Sequence, residues 1–384
     1  MPEPASRSTL LSALEPLFPP QGVAHRLGLS RRHSGPSHST GVTLAFAAIP
    51  STTRLRALLP CPLARAERRV LLKPRTTKLG WTLRSAQALS STVPDRVLNA
   101  LAQRAELWMA EPSALLQALT GLTAGARIGV IVNPSAPERP AFHVFDAHST
   151  LIAVAKSGRA GEAATVRREH DVLIELSASE RLRGTVPVSL GLVETNTGAA
   201  LVTSAFVGKP APISLTPGLR TWLERCRSDR LVAFGETKLV RTTVDRLHAS
   251  QDAVLVRAAQ RALELAAATP VAETVTHGDF VPWNILMTRD GPRIFDWEFA
   301  DLSGVPEWDA LYFESQVQLI KRGGGSAELQ ALHRRSARQA TDPEVALATS
   351  LLVLAQLALV PRGPTDLDRI AALRAAIRAL AETH

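Results

Sequence analysis

Residues 276–300 read THGDFVPWNILMTRDGPRIFDWEFA, and few folds accommodate such a segment. The chain has 10 Phe, 6 Trp and 1 Tyr, and eight of these aromatic residues fall between Thr276 and Phe313. His277, Asp279, Asn284, Asp296 and Glu298 stand inside that apolar stretch. A carboxylate in such surroundings is costly unless it is paired or meets a cation. Arg289-Asp290-Gly291-Pro292 is a turn signal, which predicts a hairpin of Asn284–Thr288 and Arg293–Asp296. Antiparallel pairing about that turn sets Asn284 beside Asp296, so an amide oxygen and a carboxylate converge at one end of the hairpin. Oxygen ligands of this kind suit Mg²⁺, which takes one or two carboxylates and completes its shell with substrate phosphates. Asp279 lies in the loop just before. The same residues also fit a purely structural hairpin whose Asp and Asn cap turns.

A second constellation lies nearer the middle of the chain. Arg127–Val132, Phe142–Asp146 and Leu151–Lys156 read as three successive strands, followed by a helix over Glu162–Leu176 and strands over Val186–Glu194 and Ala199–Phe206. Ile152, Val154 and Lys156 share one strand face by the period of two. On the helix, Val166, Glu169, Leu173 and Leu176 form one stripe. An ammonium at the end of an apolar strand and a carboxylate on an apolar helix face each need a partner. Each finds one if Lys156 meets Glu169; the other solution is that both snorkel to solvent.

The order His-x-Asp-x-x-x-x-Asn followed by an Asp-led tripeptide matches a kinase catalytic loop and its metal-binding Asp. On His277-Gly278-Asp279 with Asn284, and Ile294-Phe295-Asp296-Trp297-Glu298, the sequence resembles the aminoglycoside phosphotransferase/choline kinase-like family, small-molecule kinases of protein-kinase-like fold. The resemblance covers roughly residues 126–384. It implies that Asp279 is the catalytic base, that Asn284 and Asp296 hold Mg²⁺, and that Lys156, paired with Glu169, contacts the phosphates of ATP or GTP. It also places backbone groups near Ser204 and Phe206, in an inter-lobe hinge, against the adenine edge. His277 is read as ordering the loop and Asp309 as accepting from its backbone, both behind the reacting groups. Trp283 and Trp297 are read as core. One departure stands out: the stretch Val132–Pro140, where such kinases carry a glycine-rich phosphate loop, holds three prolines and no glycine. Ser135 or backbone N–H groups are then left to meet phosphate. The HGDF-x-PWN form is also similar to kinase-like proteins associated with bacterial surface-polysaccharide synthesis.

The fold expected is α+β and two-lobed, with a five-stranded N-lobe carrying one helix, a mainly helical C-lobe, and a basic N-terminal extension. The boundaries read as a flexible N-terminus over 1–40, a small mixed region over 41–115, the N-lobe over 116–206 and the C-lobe over 207–384. In the mixed region Val42–Ile49 and Arg68–Lys73 read as strands and Asp95–Met109 as a helix. In the C-lobe Thr221–Cys226, Val254–Ala268 and Asp366–Ala381 read as helices.

Charge is unevenly placed. The chain has 44 Lys+Arg against 35 Asp+Glu, a net of +9, yet residues 1–110 alone hold 15 basic and 5 acidic side chains. That segment has few interleaved aromatics, so nucleic acid is not the expected partner, while an anionic membrane surface stays open through residues 1–115. Cys61 and Cys226 cannot build a disulfide framework, residues 1–18 lack the layout of a secretory signal, and Val345–Val360 is too short and too polar to span a bilayer. A cytoplasmic enzyme is the expectation. The acceptor is a small-molecule hydroxyl. Residues 321–384 hold 9 basic and 6 acidic side chains, which disfavours a polycationic aminoglycoside. Residues 314–384 contain no Phe, Trp or Tyr to cage a quaternary amine. A sugar or glycosyl acceptor remains, with an antibiotic kinase and a nucleotide-binding pseudokinase scaffold as the other readings.

Overall fold

The computed structural model describes residues 4–18, 25–30, 42–49, 57–62, 64–71, 103–133, 136–248, 253–322, 347–348 and 350–352. The chain divides into two compact units, one of residues 1–177 and 187–207 and the other of 178–186 and 208–384. Among the described residues no helix is long and apolar enough to cross a membrane.

The first unit is a mixed α/β body built on a large antiparallel sheet. Its elements run α1 (Pro4–Leu14), β1 (His25–Ser30), β2 (Val42–Ile49), β3 (Ala57–Pro60), α2 (Arg65–Leu71), β4 (Gln103–Met109) and α3 (Ala114–Gly121). Then follow β5 (Arg127–Asn133), β6 (Ala136–Phe145), β7 (Leu151–Arg159), α4 (Ala163–Ala178), β8 (Ser189–Thr195) and β9 (Gly198–Ser204). The sheet has nine strands in the order β1-β4-β2-β3-β5-β6-β7-β9-β8. The five strands read from the sequence form its second half. The expectation of a five-stranded sheet is therefore corrected, because β3 pairs antiparallel with β5, Ala57 opposite Ile131 and Leu58 opposite Val130. Strands β2, β3 and β4, within the region 41–115, thus do not stand apart from the sheet that follows. One core runs beneath both halves, with Leu10, Leu14, Phe46, Leu58, Leu107 and Met109 packed with Ile128, Val130, Phe142 and Val144.

Three local expectations change for physical reasons. The first 40 residues are not wholly flexible, since Leu10, Ala13, Leu14 and Leu17 are buried at helical spacing; residues 1–3, 19–24 and 31–40 lie outside the described residues. Gln103–Met109 is a strand rather than the end of a helix, because Ala105, Leu107 and Met109 alternate and are fully buried. Arg65–Leu71 is a helix where a strand was expected, which turns Glu67 and Leu71, four residues apart, into the protein. Glu67 receives Arg127 Nε at 2.6 Å and Ser149 Oγ at 3.1 Å, so this buried carboxylate is satisfied across 60 and 82 residues of sequence.

The second unit carries more strand than the sequence suggested. Its elements are β10 (Lys209–Pro210), α5 (Pro217–Arg225), β11 (Arg227–Ala233), α6 (Lys238–His248), α7 (Ala253–Ala266), β12 (Pro270–Thr276), β13 (Ile285–Thr288), β14 (Gly291–Ile294), β15 (Asp301–Gly304) and α8 (Trp308–Arg322). Two three-stranded sheets result, β10-β13-β14 and β11-β12-β15. Thr216 caps α5, its hydroxyl accepting from Leu219 N–H at 3.3 Å, and Pro217 occupies the first turn where a missing N–H does no harm. Phe234, Val240, Leu263, Val271, Trp308 and Leu351 close the core of this unit. The helix expected over Asp366–Ala381 lies outside the described residues.

Candidate active site

Strand β12 delivers the segment 277–284, and three anchors shape it. Asp309, at the first turn of α8, accepts from the backbone N–H of His277 at 2.6 Å and of Gly278 at 3.0 Å. His277 is fully buried, accepts from Asp279 N–H through Nδ1 at 3.2 Å and donates from Nε2 to the Phe295 carbonyl at 3.0 Å. That pattern fixes the neutral Nε2–H tautomer. Gly278 has φ +79°, and a Cβ there would collide with the Phe299 carbonyl oxygen, so glycine is what lets the two loops touch. Trp297 and Phe280 lie against the His277 ring, with centroids 4.7 Å and 6.3 Å away.

Asp279 follows this anchored pair. Asn284 Nδ2 donates to the Asp279 carbonyl at 3.1 Å and to its carboxylate Oδ2 at 2.9 Å. The amide oxygen of Asn284 is the atom not engaged by residue 279. Strand β13 pairs with β14, Ile285 opposite Ile294, and Phe295 N–H donates to the Asn284 carbonyl at 3.1 Å. Register therefore brings Asn284 opposite Phe295, one residue before Asp296. Asp296 has φ +76°, a left-handed conformation that Asp tolerates better than most residues. The chain turns off β14 there, and Trp297 Nε1 closes the turn by donating to the Ile294 carbonyl at 3.0 Å. One amide oxygen and one carboxylate at adjacent strand ends are a hard-oxygen donor set, and it fits Mg²⁺. Trp297 is buried as expected of a core residue, and Trp283 is half-buried.

The electrostatics of this unit centre on two residues of α8. Burial pushes the Asp309 carboxyl up to about 7, and the nearby Asp279 charge pushes the same way, against the two backbone donors. Burial also raises the Tyr312 phenol well above its ordinary value; the charge of Asp279, a hydrogen bond to it and the charge of Asp309 add to this. Tyr312 was not among the residues singled out from sequence. Two features mark it, its place one helical turn beyond Asp309 and its being the single tyrosine of the chain.

In the first unit Lys156 Nζ donates to both carboxylate oxygens of Glu169, at 2.9 and 3.1 Å. Glu169 is 4% exposed and belongs to the buried stripe of α4 with Val166, Leu173 and Leu176. The strand face differs from expectation: Ala153, Ala155 and Ser157 are the buried side of β7, while Ile152, Val154 and Lys156 are half-buried. Ser204 ends β9, its N–H donating to the Val188 carbonyl at 2.8 Å and its hydroxyl accepting from Val188 N–H at 2.9 Å. That N–H is thus engaged by the sheet, and Ala205 N–H likewise by the Ile152 carbonyl at 3.0 Å. Phe206 follows, half-buried, and the boundary between the units falls just after Val207. Ser135 lies outside the described residues.

Residues 219–312 match the model of the phosphotransferase enzyme family. That span holds the whole of the loop, hairpin and α8 anchor just described, and the class it defines is a phosphotransferase with an alcohol group as acceptor. Over that segment the chain is similar to the phosphotransferase enzyme family, in line with the resemblance to aminoglycoside phosphotransferases and choline kinase-like proteins. No curated protein matches the chain. Among solved structures, aminoglycoside phosphotransferase APH(3'')-Id from Streptomyces rimosus, in complex with ADP and streptomycin, is 19% identical, with 70% of this chain and 97% of that one covered and a TM-score of 0.37. A thermostable mutant of aminoglycoside phosphotransferase APH(4)-Ia, with ADP and hygromycin B, is 15% identical over 67% and 90% at a TM-score of 0.39. Amicoumacin kinase hAmiN is 12% identical over 66% and 88% at 0.38. Superposition at these scores is partial, and the family match is what defines the class.

Proposed function

We propose that the protein transfers the terminal phosphoryl group of ATP or GTP, with Mg²⁺, to a hydroxyl of a small molecule, of the sugar or glycosyl class. The observation that carries this reading is the clamped Asp279 carboxylate, bonded to Asn284 and delivered by a loop whose preceding two N–H groups are held by Asp309. Asp279 orients the acceptor hydroxyl and takes its proton as the new oxygen–phosphorus bond forms and the nucleoside diphosphate leaves. Asn284 and Asp296 hold the metal, which when bound offsets the charge spread over the transferring phosphoryl. His277 and Asp309 keep the loop in place and do not touch the reacting atoms. Lys156, steadied by Glu169, supplies the cation for the nucleotide phosphates. Positioning and fixed charge account for catalysis of this kind, with little covalent work for the protein.

The sugar class rests on the basic excess over residues 321–384 and the lack of Phe, Trp and Tyr over 314–384. An antibiotic kinase is the second reading, favoured by the streptomycin and hygromycin B in the complexes compared above. Release of ADP or GDP in the presence of a panel of sugars, sugar phosphates and aminoglycosides separates the two. Asp279→Asn is expected to reduce kcat at least 100-fold with the active acceptor while leaving nucleotide affinity within a few-fold, the scale expected of a lost general base. Undiminished turnover in that variant would overturn the assignment.

A further inference from the structure

We infer that Arg139 is a second cation for the nucleotide phosphates and takes the terminal one, where the stretch Val132–Pro140 supplies no glycine cradle; the inference rests on the nucleotide site proposed above. Across β6 and β7, Ala141 lies opposite Lys156 and His143 opposite Val154. Cross-strand partners share a sheet face, as do residues two apart on one strand, so Arg139 stands on the face of Lys156, one step beyond it. The two cations are also held alike. Lys156 is paired with Glu169 of α4, and the Arg139 guanidinium donates to Glu162, immediately before the same helix. Val166 N–H donates to the Glu162 carbonyl at 3.1 Å, so Glu162 belongs to that helical run, and its seven-residue spacing from Glu169 sets both carboxylates on one stripe. Gly158 shows the same placement independently. It follows Lys156 by two residues on β7, and a Cβ there would meet the Glu162 Cβ at 3.1 Å, so the start of α4 rests on the strand face that carries Lys156.

Direction along the sheet sets which phosphate Arg139 meets. Ser204, at the end where the base is expected, pairs with Ala153. Lys156 lies three residues further along β7, and Arg139 lies two residues beyond the partner of Lys156, a further step of about 7 Å. Base, first cation and second cation therefore follow in the order of base, inner phosphates and terminal phosphate. The arginine fork suits a phosphate's oxygens, and the Arg139 side chain is 46% exposed despite its ion pair, so it is open to a ligand. An exposed pair of this kind contributes little to stability, so Arg139 is replaceable without unfolding the chain.

Calorimetric titration of ATP, ADP, GTP and GDP with Mg²⁺ into the full chain and its Arg139→Gln variant reads the contact without any acceptor. The variant is expected to bind the triphosphate about 10-fold more weakly and the diphosphate within about 3-fold of wild type, with the melting temperature unchanged. Equal triphosphate affinity in the two proteins, or the same loss for di- and triphosphate, would overturn the proposal. Wild type serves for a second measurement, modification by the arginine reagent phenylglyoxal followed by peptide mass spectrometry. The Mg²⁺ triphosphate should slow modification of Arg139 several-fold more than the diphosphate does. Equal rates with and without triphosphate would overturn the contact even if Arg139→Gln folded poorly. Wild type that binds no nucleotide would overturn this proposal and the phosphotransferase reading together, whereas binding that is indifferent to Arg139→Gln would overturn the role of Arg139 alone.

Discussion

Burial pushes the Asp309 carboxyl up to about 7, from 3.8, while the backbone donors His277 and Gly278 favour its charged form. Between those two values the folded chain holds a proton that the unfolded chain has released. Stability from this group is therefore fully present below pH 3.8 and is lost as pH rises through about 7. Wild type should lose on the order of 2 kcal/mol from this source between pH 5 and pH 8. Urea denaturation at both pH values checks it, and Asp309→Asn should flatten the difference; an equally steep dependence in the variant would assign the slope to other groups. At this scale the sequence was informative where chemistry restricts residue type. Asp279, Asn284 and Asp296 stood out as polar residues in an aromatic stretch, and Asp309 could be placed behind the loop. Tyr312 could not, because a tyrosine on an amphipathic helix looks like any packing residue until the loop it meets is in place.

Strand β7 and helix α4 meet through Lys156 and Glu169, and the pair tests how an element face is satisfied. A buried carboxylate that loses its ammonium partner keeps its desolvation penalty. Lys156→Met should lower stability by about 1–3 kcal/mol, and Glu169→Leu added to it should recover most of that loss. Thermal melts of the two single variants and the double variant form the cycle, and additive losses would show that the two side chains do not interact. Strands β5 and β9 were legible from their short apolar runs. Which face of β7 is buried was not, because Ala153 and Ala155 are small residues whose burial is set by what covers the sheet. The Gln103–Met109 strand was misread because Val97, Leu98 and Leu101 before it suggest a helical stripe, although Ala105, Leu107 and Met109 alternate on their own.

A single core joins residues of α1, β2, β3 and β4 to the strands that follow, so these described parts of the basic N-terminal segment belong to the folded body of their unit. A chain beginning at residue 111 would expose Ile128, Val130, Phe142 and Val144 and leave β5 as a bare edge, a template for aggregation. Such a fragment should be insoluble or should bind hydrophobic dyes, as judged by gel filtration and dye fluorescence; a soluble monomer with a sharp thermal transition would contradict this. The pairing responsible, Ala57 with Ile131, spans more than 70 residues, and no local period encodes it. The β13–β14 hairpin was legible for the opposite reason, since its strands are joined by a tight turn, although its register sets Asn284 opposite Phe295 rather than Asp296. The central claim, a metal-dependent nucleotide site on Asn284 and Asp296, is tested most directly by calorimetric titration of ATP and GTP, each with Mg²⁺ and with EDTA, into wild type and Asp296→Asn. At least 10-fold tighter binding with Mg²⁺ in wild type, and no such difference in the variant, is the predicted result. Equal affinity with Mg²⁺ and with EDTA in wild type, or a metal effect that survives in Asp296→Asn, would contradict it.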